Sequence, residues 1–245
     1  MYHARSLGIV SGKGGSGKTT TAVNLATAFS LLGKEVTLVD ANVQNPNVGV
    51  HLGAPQVPIH LNHVLQGKHH IQDAVYQHKS GMKVVPASLA VADRHVSLQG
   101  LKKHLQELMT DVLVLDTSSG LHEQNIHALH AADETLVVSP PEWPSLTDAL
   151  RSLQVLQSLQ VPCRGVVVTK AGSQDDIPIA NVAQFLGVPV LAVIPFDAGI
   201  RESLRRKEPL VFLNPQSPAA DAYVKLAARL AGSALPERKK FLGLF

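Results

Sequence analysis

Eight residues near the start of the chain have the types and the spacing that phosphate binding requires. Residues 12–19 read Gly-Lys-Gly-Gly-Ser-Gly-Lys-Thr and match the pattern G-x-x-x-x-G-K-[ST]. Glycines let backbone N–H groups surround an anion, because a side chain would block that approach. The pattern follows the apolar run Leu7–Ser11 and precedes a helical pattern, so the positive end of a helix dipole would face the anion. We therefore predict a phosphate-binding loop rather than a flexible glycine turn.

Two side chains of this loop have predicted roles in binding a nucleotide. Lys18 should reach the terminal phosphates, and the Thr19 hydroxyl should bind magnesium. Such a magnesium site also needs an aspartate at the end of an apolar strand, and Asp116 follows the run Val112–Leu115. Gly120, in the segment after Asp116, could approach the terminal phosphate. The alternative for Asp116 is an ordinary aspartate that caps a helix.

Short apolar runs alternate with helical patterns along the chain. The runs are Leu7–Ser11, Val36–Val39, Lys83–Pro86, Val112–Leu115, Thr135–Ser139, Gly165–Thr169 and Val190–Ile194. The helical patterns are Thr19–Leu32, Leu98–Met109, Leu146–Leu159, Ile179–Leu186 and Ala219–Leu230. This alternation predicts an α/β fold with a single doubly wound, mostly parallel sheet and helices on both faces. We expect residues 1–232 to form one domain and residues 233–245 to form a flexible tail.

Composition narrows the class of protein without identifying it. The chain has 245 residues, of which 45% are hydrophobic and 17% are charged, as in a globular protein with a sizeable core. A net charge of +3 identifies no partner. One cysteine, Cys163, excludes an internal disulfide and fits a reducing compartment. Since no run resembles a signal peptide or a membrane span, we expect a cytoplasmic protein.

The loop contains a second lysine, Lys13. Residues 13–20, Lys-Gly-Gly-Ser-Gly-Lys-Thr-Thr, resemble the deviant Walker A loop of the MinD/ParA family of ATPases. Further segments look like landmarks of that family in the same order: residues 38–42, 115–120, 141–142, 193–197 and 217–220. The resemblance spans nearly the whole chain. It implies a P-loop NTPase fold, ATP and Mg²⁺ as cofactors, and an ATP-dependent homodimer.

The resemblance also implies site residues. In that family two protomers enclose two ATP molecules, and the lysine at the position of Lys13 reaches the partner's nucleotide; a solvated loop lysine is the alternative. The implied nucleotide site comprises Gly12, Lys13, Gly14, Gly15, Ser16, Gly17, Lys18, Thr19 and Thr20, with Pro195 and Asp197 near the adenine. The implied magnesium ligands are Thr19, Asp40 and Asp116, and the implied catalytic residues are Lys13, Lys18, Asp40 and Asn42.

Two positions depart from the family pattern. The family usually has Asp-x-Asp after the second strand, with the second aspartate beside the attacking water, whereas this chain has Asp40 and then Asn42. An amide can orient water but cannot take its proton, so we expect slow basal hydrolysis rather than none. Where relatives often have Asn-Arg after the sixth strand, this chain has Thr169-Lys170, which leaves the adenine contacts open.

Two segments are candidates for switches that respond to the nucleotide. They are residues 40–47, Asp-Ala-Asn-Val-Gln-Asn-Pro-Asn, and residues 117–124. Segments of this kind are ordered by the γ-phosphate and magnesium and relax after hydrolysis. The alternative for Asn45-Pro46 is a plain turn.

The last residues combine cations with large apolar side chains. The chain ends Arg238-Lys239-Lys240-Phe241-Leu242-Gly243-Leu244-Phe245, which resembles the membrane-targeting tail of MinD-like proteins. Cations attract anionic headgroups, while Phe and Leu enter the acyl boundary. One copy should bind weakly and a dimer more strongly, because it presents two tails. The alternative is a disordered terminus or a strip that docks on its own domain.

These features lead to one preferred function and two alternatives. The resemblance implies a MinD-like ATPase that dimerises on ATP, attaches to the inner membrane face and helps position a cell-division or surface apparatus with an unidentified activating or cargo protein. A cluster of cations, Arg201, Arg205, Arg206 and Lys207, leaves open a ParA-like partition ATPase that binds nucleic acid. The second alternative is a scaffold that is gated by ATP and does not hydrolyse it.

Overall fold

The computed structural model describes residues 4–120 and 123–234. The strands are β1 (Arg5–Val10), β2 (Val36–Asp40), β3 (Tyr76–Gln77), β4 (Lys83–Val85), β5 (Val112–Asp116), β6 (Glu134–Ser139), β7 (Cys163–Ala171) and β8 (Val190–Pro195). The α-helices are α1 (Lys18–Leu31), α2 (Val48–His51), α3 (Leu61–Leu65), α4 (Leu101–Leu105), α5 (Glu123–Ala131), α6 (Trp143–Ser158), α7 (Ile179–Leu186), α8 (Gly199–Arg206), α9 (Leu210–Leu213) and α10 (Pro218–Ala231). Two short 3₁₀ helices span Ile71–Ala74 and Val91–Asp93.

The strands of the described part form one sheet in the order β3-β4-β2-β5-β1-β6-β7-β8. All neighbouring pairs are parallel except β3 with β4, which are antiparallel. The predicted fold class is therefore confirmed. β1 lies between β5 and β6; β2 and β4 lie beyond β5 on one side, and β7 and β8 lie beyond β6 on the other. In such a sheet ligands bind outside the carboxyl ends of the strands, where the winding reverses.

The core lies on both faces of this sheet, because successive side chains of a strand point to opposite faces. Leu38 of β2 packs with α1, α9 and α10, whereas its neighbour Val39 packs with α3, α4 and α5. Val137 of β6 joins α6 and α7 on that second face. These residues are almost fully buried, which explains why the strands read as continuous apolar runs. Each such side chain contributes roughly 1.5–3 kcal/mol when it leaves water.

Several helices differ from the sequence prediction. The predicted helix Leu98–Met109 is wrong in its ends, because α4 spans Leu101–Leu105 and turns follow it. Leu98 and Leu108 are nevertheless buried, so the apolar spacing of this segment marks core positions that do not share one helix. Helix α5 was not predicted, since the segment Glu123–Ala131 is mostly polar. Among the described residues, no helix has both the length and the apolar character that a membrane span requires.

The buried His60 stacks on the partly buried His63 at the start of α3. The rings of His60 and His63 lie 3.8 Å apart between centroids and are nearly parallel, at 20°. His60 Nε2 lies 3.7 Å from Asp93 Oδ2, which favours the charged ring. Burial, and then the neighbouring His63, nevertheless hold the pKa of His60 below its usual value. The folded chain therefore binds fewer protons than the unfolded chain just below pH 6.5.

We expect the His60 ring to reduce the stability of the folded state as the pH falls below about 6.5, because protonation of the lowered His60 favours the unfolded state, whereas the raised pKa of Asp40 acts in the opposite direction. One such proton gives a slope of at most about 1.4 kcal/mol per pH unit. His60→Phe keeps a ring for stacking and should become more stable relative to the parent as the pH falls from 7 to 5 in urea unfolding. The control is His95→Phe, since His95 is exposed. Equal slopes in parent and His60→Phe would contradict the assignment.

Candidate nucleotide site

The predicted phosphate loop lies between the end of β1 and the start of α1. Gly17 precedes the first turn of α1 and has a φ of +91°, a conformation that favours glycine. Gly12 is required for a different reason, because a Cβ there would lie 2.3 Å from the backbone oxygen of Asp148 in α6. The glycine at position 12 therefore permits helix packing, in addition to any approach to phosphate.

A cavity of about 480 Å³ opens beside this loop. The described residues that line it are Lys13, Gly14, Gly15, Ser16, Gly17, Lys18, Thr19, Thr20, Asn42, Gln44, Asn45, Asn47, His51, Ser118 and Ser119. The structure thus brings together the loop, the first switch candidate and the start of the second. Gly12, Pro195 and Asp197 are not among these described lining residues. His51 was missed as a site residue, because nothing in its local sequence marks it, whereas Gln44 and Ser118 belong to the two predicted switch segments.

Two carboxylates are buried beneath this cavity. Asp40 ends β2 and Asp116 ends β5, and they are register partners on the neighbouring strands. Both side chains have no exposed surface. Burial raises the pKa of Asp40 to about 8, with a further contribution from the charge of Asp116. Burial likewise raises the pKa of Asp116, while Lys18 and the Thr19 hydroxyl oppose that rise.

Asp116 has the features of a ligand for a hard cation. Thr19 Oγ1 donates a hydrogen bond of 2.7 Å to Asp116 Oδ2, so two of the three predicted magnesium ligands are adjacent. Asp116 Oδ1 lies 4.0 Å from Lys18 Nζ and has no hydrogen-bond partner among the described residues. A buried oxygen without a partner is costly, and Mg²⁺ prefers oxygen ligands. The residues present therefore fit the implied magnesium ion.

Asp40 is engaged by the backbone of the first switch candidate. Its Oδ1 accepts a hydrogen bond from the N–H of Asn42 at 3.2 Å, and its Oδ2 accepts from Asn47 and Val48 at 3.0 Å each. Both oxygens thus hold the segment that carries residues 42–48. This geometry gives Asp40 a role in shaping the segment, beside the metal role that the family resemblance implies.

The Asn42 side chain closes a small loop within the same segment. Its Nδ2 donates to the carbonyl oxygen of Asn45 at 2.7 Å, and its Oδ1 accepts from the N–H of Asn45 at 3.3 Å. An aspartate could accept the second bond but could not donate the first, because it carries no N–H. The amide at position 42 therefore stabilises the shape of this segment in the structure.

Lys13 lies at the rim of the cavity and is half-exposed. Its Nζ lies 3.1 Å from Glu142 Oε1, which also accepts a hydrogen bond of 2.6 Å from Ser145. The Lys13 ammonium is among the causes that lower the pKa of Glu142, after the bond from Ser145. Exposed ion pairs contribute between zero and about 1 kcal/mol, so this contact can open at little cost.

The predicted adenine contacts occupy the neighbouring strand ends. Asp197, just after β8, accepts hydrogen bonds from the N–H groups of Gly199 and Ala219 and thereby joins α8 and α10 to the strand. Thr169 and Lys170, at the end of β7, donate instead to carbonyl oxygens of the phosphate loop. These two contacts were missed, since the sequence placed this pair near the adenine.

Comparisons with known proteins agree with this site. Residues 3–231 match the family described as ParA: NUBPL iron-transfer P-loop NTPase. An uncharacterized ATP-binding protein of Methanocaldococcus jannaschii is 33% identical over 94% of this chain and 89% of its own length. The septum site-determining protein MinD of Bacillus subtilis is 31% identical over 93% of this chain and 89% of its own length.

A solved structure has the same architecture. It is the septum site-determining protein MinD of Pyrococcus horikoshii complexed with Mg-ADP, and it superimposes with a TM-score of 0.88 at 31% identity. The match covers 93% of this chain and 96% of the other. The phosphate loop, the paired carboxylates and these matches lead to one conclusion: the chain belongs to the ParA family of P-loop NTPases and is similar to its MinD members.

Proposed function

We propose that this chain is a MinD-like ATPase that dimerises on ATP and attaches reversibly to the inner face of the cell membrane. There it would help position cell-division or surface machinery through an activating or cargo protein. The observation that carries the proposal is the half-exposed Lys13 at the rim of the cavity that Lys18, Thr19 and Asp116 complete. A second cation at this rim is suited to a nucleotide that lies between two protomers.

The residues of the cavity would have different roles in nucleotide binding. The N–H groups of the loop and the positive end of α1 would bind the phosphates, and Lys18 would neutralise their charge. Thr19 and Asp116, with Asp40 behind them, would hold Mg²⁺, which supplies charge neutralisation between the phosphates when bound. Asn42 would orient water without accepting its proton, so hydrolysis would be slow.

The link from nucleotide to membrane runs through two packed helices. α1 starts in the phosphate loop and lies against α10, where Thr21 Oγ1 and Tyr223 Oη are 3.2 Å apart in the core. α10 ends at Ala231, and Gly232 with a φ of +62° terminates it. The predicted membrane segment, Lys239–Phe245, follows and lies outside the described residues. Two copies of it in a dimer would bind lipid more strongly than one.

Two other functions have less support from the described residues. In the basic cluster of α8, Arg205 and Arg206 both pair with Glu202, so this carboxylate competes with DNA phosphates for two of the four cations and offsets one positive charge. The family description mentions iron transfer, but the chain has one cysteine, Cys163, whose pKa burial raises. Iron–sulfur clusters are usually held by several cysteine thiolates, so a cargo of this kind is not supported.

Replacing Asp116 should separate stability from function. Asp116→Asn removes one of two adjacent buried carboxylates, so we expect the nucleotide-free protein to gain about 1–2 kcal/mol in urea unfolding at pH 7. The same variant should lose the effect of Mg²⁺ on ADP affinity in calorimetry, because the ligand is gone. The exposed Asp175 provides the control, Asp175→Asn, which should change neither quantity. Retention of the full Mg²⁺ effect in Asp116→Asn would argue against the site.

Lys13 should be needed for dimerisation but not for binding of MgATP. Lys13→Ala should bind MgATP within about threefold of the parent, since Lys18 remains, but should fail to dimerise with a slowly hydrolysed ATP analogue in light scattering. Glu142→Gln tests the contact that Lys13 makes in the monomer, and it should dimerise at least as well as the parent. Equal dimerisation by Lys13→Ala and the parent would refute the role across the interface.

Hydrolysis and membrane residence should be linked through the lifetime of the dimer. Asn42→Asp should release phosphate at least about tenfold faster, given that base assistance contributes roughly 10²–10⁴-fold, and should leave anionic vesicles sooner. Deletion of residues 239–245 should abolish vesicle binding and leave turnover in solution almost unchanged. Lys18→Ala, which should bind ATP poorly, is the control for the nucleotide-free state. Vesicle binding by the truncated chain would exclude the tail as anchor, and DNA co-sedimentation would then favour the partition ATPase.

A further inference from the structure

The carboxyl end of β7 contacts the phosphate loop from outside the cavity. Thr169 Oγ1 donates a buried hydrogen bond of 2.7 Å to the carbonyl oxygen of Ser16, and Lys170 Nζ donates one of 2.7 Å to that of Gly15. The Thr169 methyl group lies where it would be 3.6 Å from a Cβ at Gly17. Two consecutive side chains of one strand thus hold two consecutive carbonyl oxygens of the loop, and one of them lies beside Gly17.

Because a peptide unit is planar, contacts that hold its carbonyl oxygen also fix the direction of its N–H group. In a trans peptide unit, the carbonyl oxygen of one residue and the N–H of the next point in opposite directions. Holding the Gly15 and Ser16 oxygens against β7 therefore directs the N–H groups of Ser16 and Gly17 away from β7. Loop residues 13–20 line the cavity, whereas neither Thr169 nor Lys170 is among its described lining residues. The two N–H groups consequently face the phosphate side.

Two further hydrogen bonds hold the start of the loop in a similar way. The hydroxyls of Ser11 and Ser16 donate to the carbonyl oxygen of Lys13 at 3.0 and 3.1 Å. This holds the peptide unit that ends in the N–H of Gly14. Peptide units on both sides of Gly14 and Gly15 are therefore fixed by side chains, although the glycines themselves are flexible. Fixed N–H groups bind an anion without a reorganisation cost.

The backbone of β7 is distorted where it makes these contacts. The pairing of β7 with β8 shifts register between Val168 and Ala171, the interval that contains both residues. Lys170 has a φ of +56°, an unfavourable conformation for a residue with a Cβ. Bulges re-aim side chains, and strained residues persist where the surroundings hold them in place. The distortion allows two adjacent residues of a strand to point toward the same loop.

We propose that Thr169 and Lys170 are positioning residues that hold the phosphate loop in its anion-binding shape before a nucleotide arrives. The ligand class concerned is the polyphosphate, and the adenine plays no part in the contact. The proposal rests on the proposed nucleotide binding and adds to it a reason for Thr169-Lys170 where relatives often have Asn-Arg. Lys170 also places a cation beside the loop, which adds to the charge of Lys18.

The test measures two ligands on matched variants of the whole chain. Thr169→Val removes the hydroxyl and keeps the shape, and Thr169→Ser restores the hydroxyl. Lys170→Met removes the charge and keeps the length, and Lys170→Arg restores the charge. Affinity for MgADP and for pyrophosphate, which lacks a base, is measured by calorimetry or by competition. The melting temperature without ligand and the separate values of kcat and KM for ATP are also recorded.

We expect Thr169→Val to weaken both ligands by roughly fivefold to tenfold, and Lys170→Met by about tenfold, with most of the loss restored in the Ser and Arg variants. KM should rise while kcat changes by less than about twofold, since the loop binds phosphate before and during hydrolysis. The melting temperature of the Lys170 variants should stay within about 2 °C of the parent, because Lys170 is exposed.

Three results would overturn the proposal. A loss for MgADP without a loss for pyrophosphate would assign the pair to the adenine. Equal losses in Thr169→Ser and Thr169→Val, or in Lys170→Arg and Lys170→Met, would indicate a structural effect. Unchanged affinity in both Val and Met variants would show that the loop needs no anchor. Failure of the proposed function would give a different result. The parent chain would then bind MgADP and pyrophosphate no better than Lys18→Ala does.

Discussion

Two carboxylates buried side by side constrain the whole site. Asp40 and Asp116 occupy register positions on neighbouring parallel strands, without exposed surface, at the edge of the sheet where the phosphate loop begins. Their burial raises both pKa values, so the folded chain carries a local electrostatic cost at neutral pH. Lys18 and Thr19, at the first turn of α1, lie against Asp116 and offset part of that cost. The position of α1, and hence of the loop before it, depends on this arrangement.

The two carboxylates differ in their hydrogen-bond partners, and this difference distinguishes a structural role from a ligand-binding role. Asp40 has backbone donors on both oxygens, so it is satisfied by the segment that it shapes. Asp116 keeps one buried oxygen without a hydrogen-bond partner among the described residues. The proposed function gives this oxygen a role as a ligand of the cation that would bind with the nucleotide.

The sequence was informative where one physical effect dominates and uninformative where contacts come from distant parts of the chain. Apolar runs located the long strands, and the glycine-lysine pattern located the loop, because burial and phosphate binding each restrict local residue types. The two-residue β3 and the mostly polar α5 carry no comparable pattern. Gly12 could be recognised as part of the motif, but its contact with Asp148 depends on how α6 packs. The bonds of Asn42 to Asn45 likewise depend on a loop shape that no local pattern specifies.

The contrast between local residue types and contacts from distant parts of the chain also explains why the loop needs support from elsewhere in the fold. Glycines make an anion-binding loop possible, but they also leave it the most flexible part of the site. Side chains on elements that are rigid for other reasons therefore have to select one shape. β7 is such an element, since its central residues Val166, Val167 and Val168 are fully buried between two helical layers. A loop held from a buried strand can stay open for phosphate while the exposed contact between Lys13 and Glu142 remains free to change. The rigid and the changeable parts of the site are thus built on different elements, as the proposed alternation between nucleotide states would require.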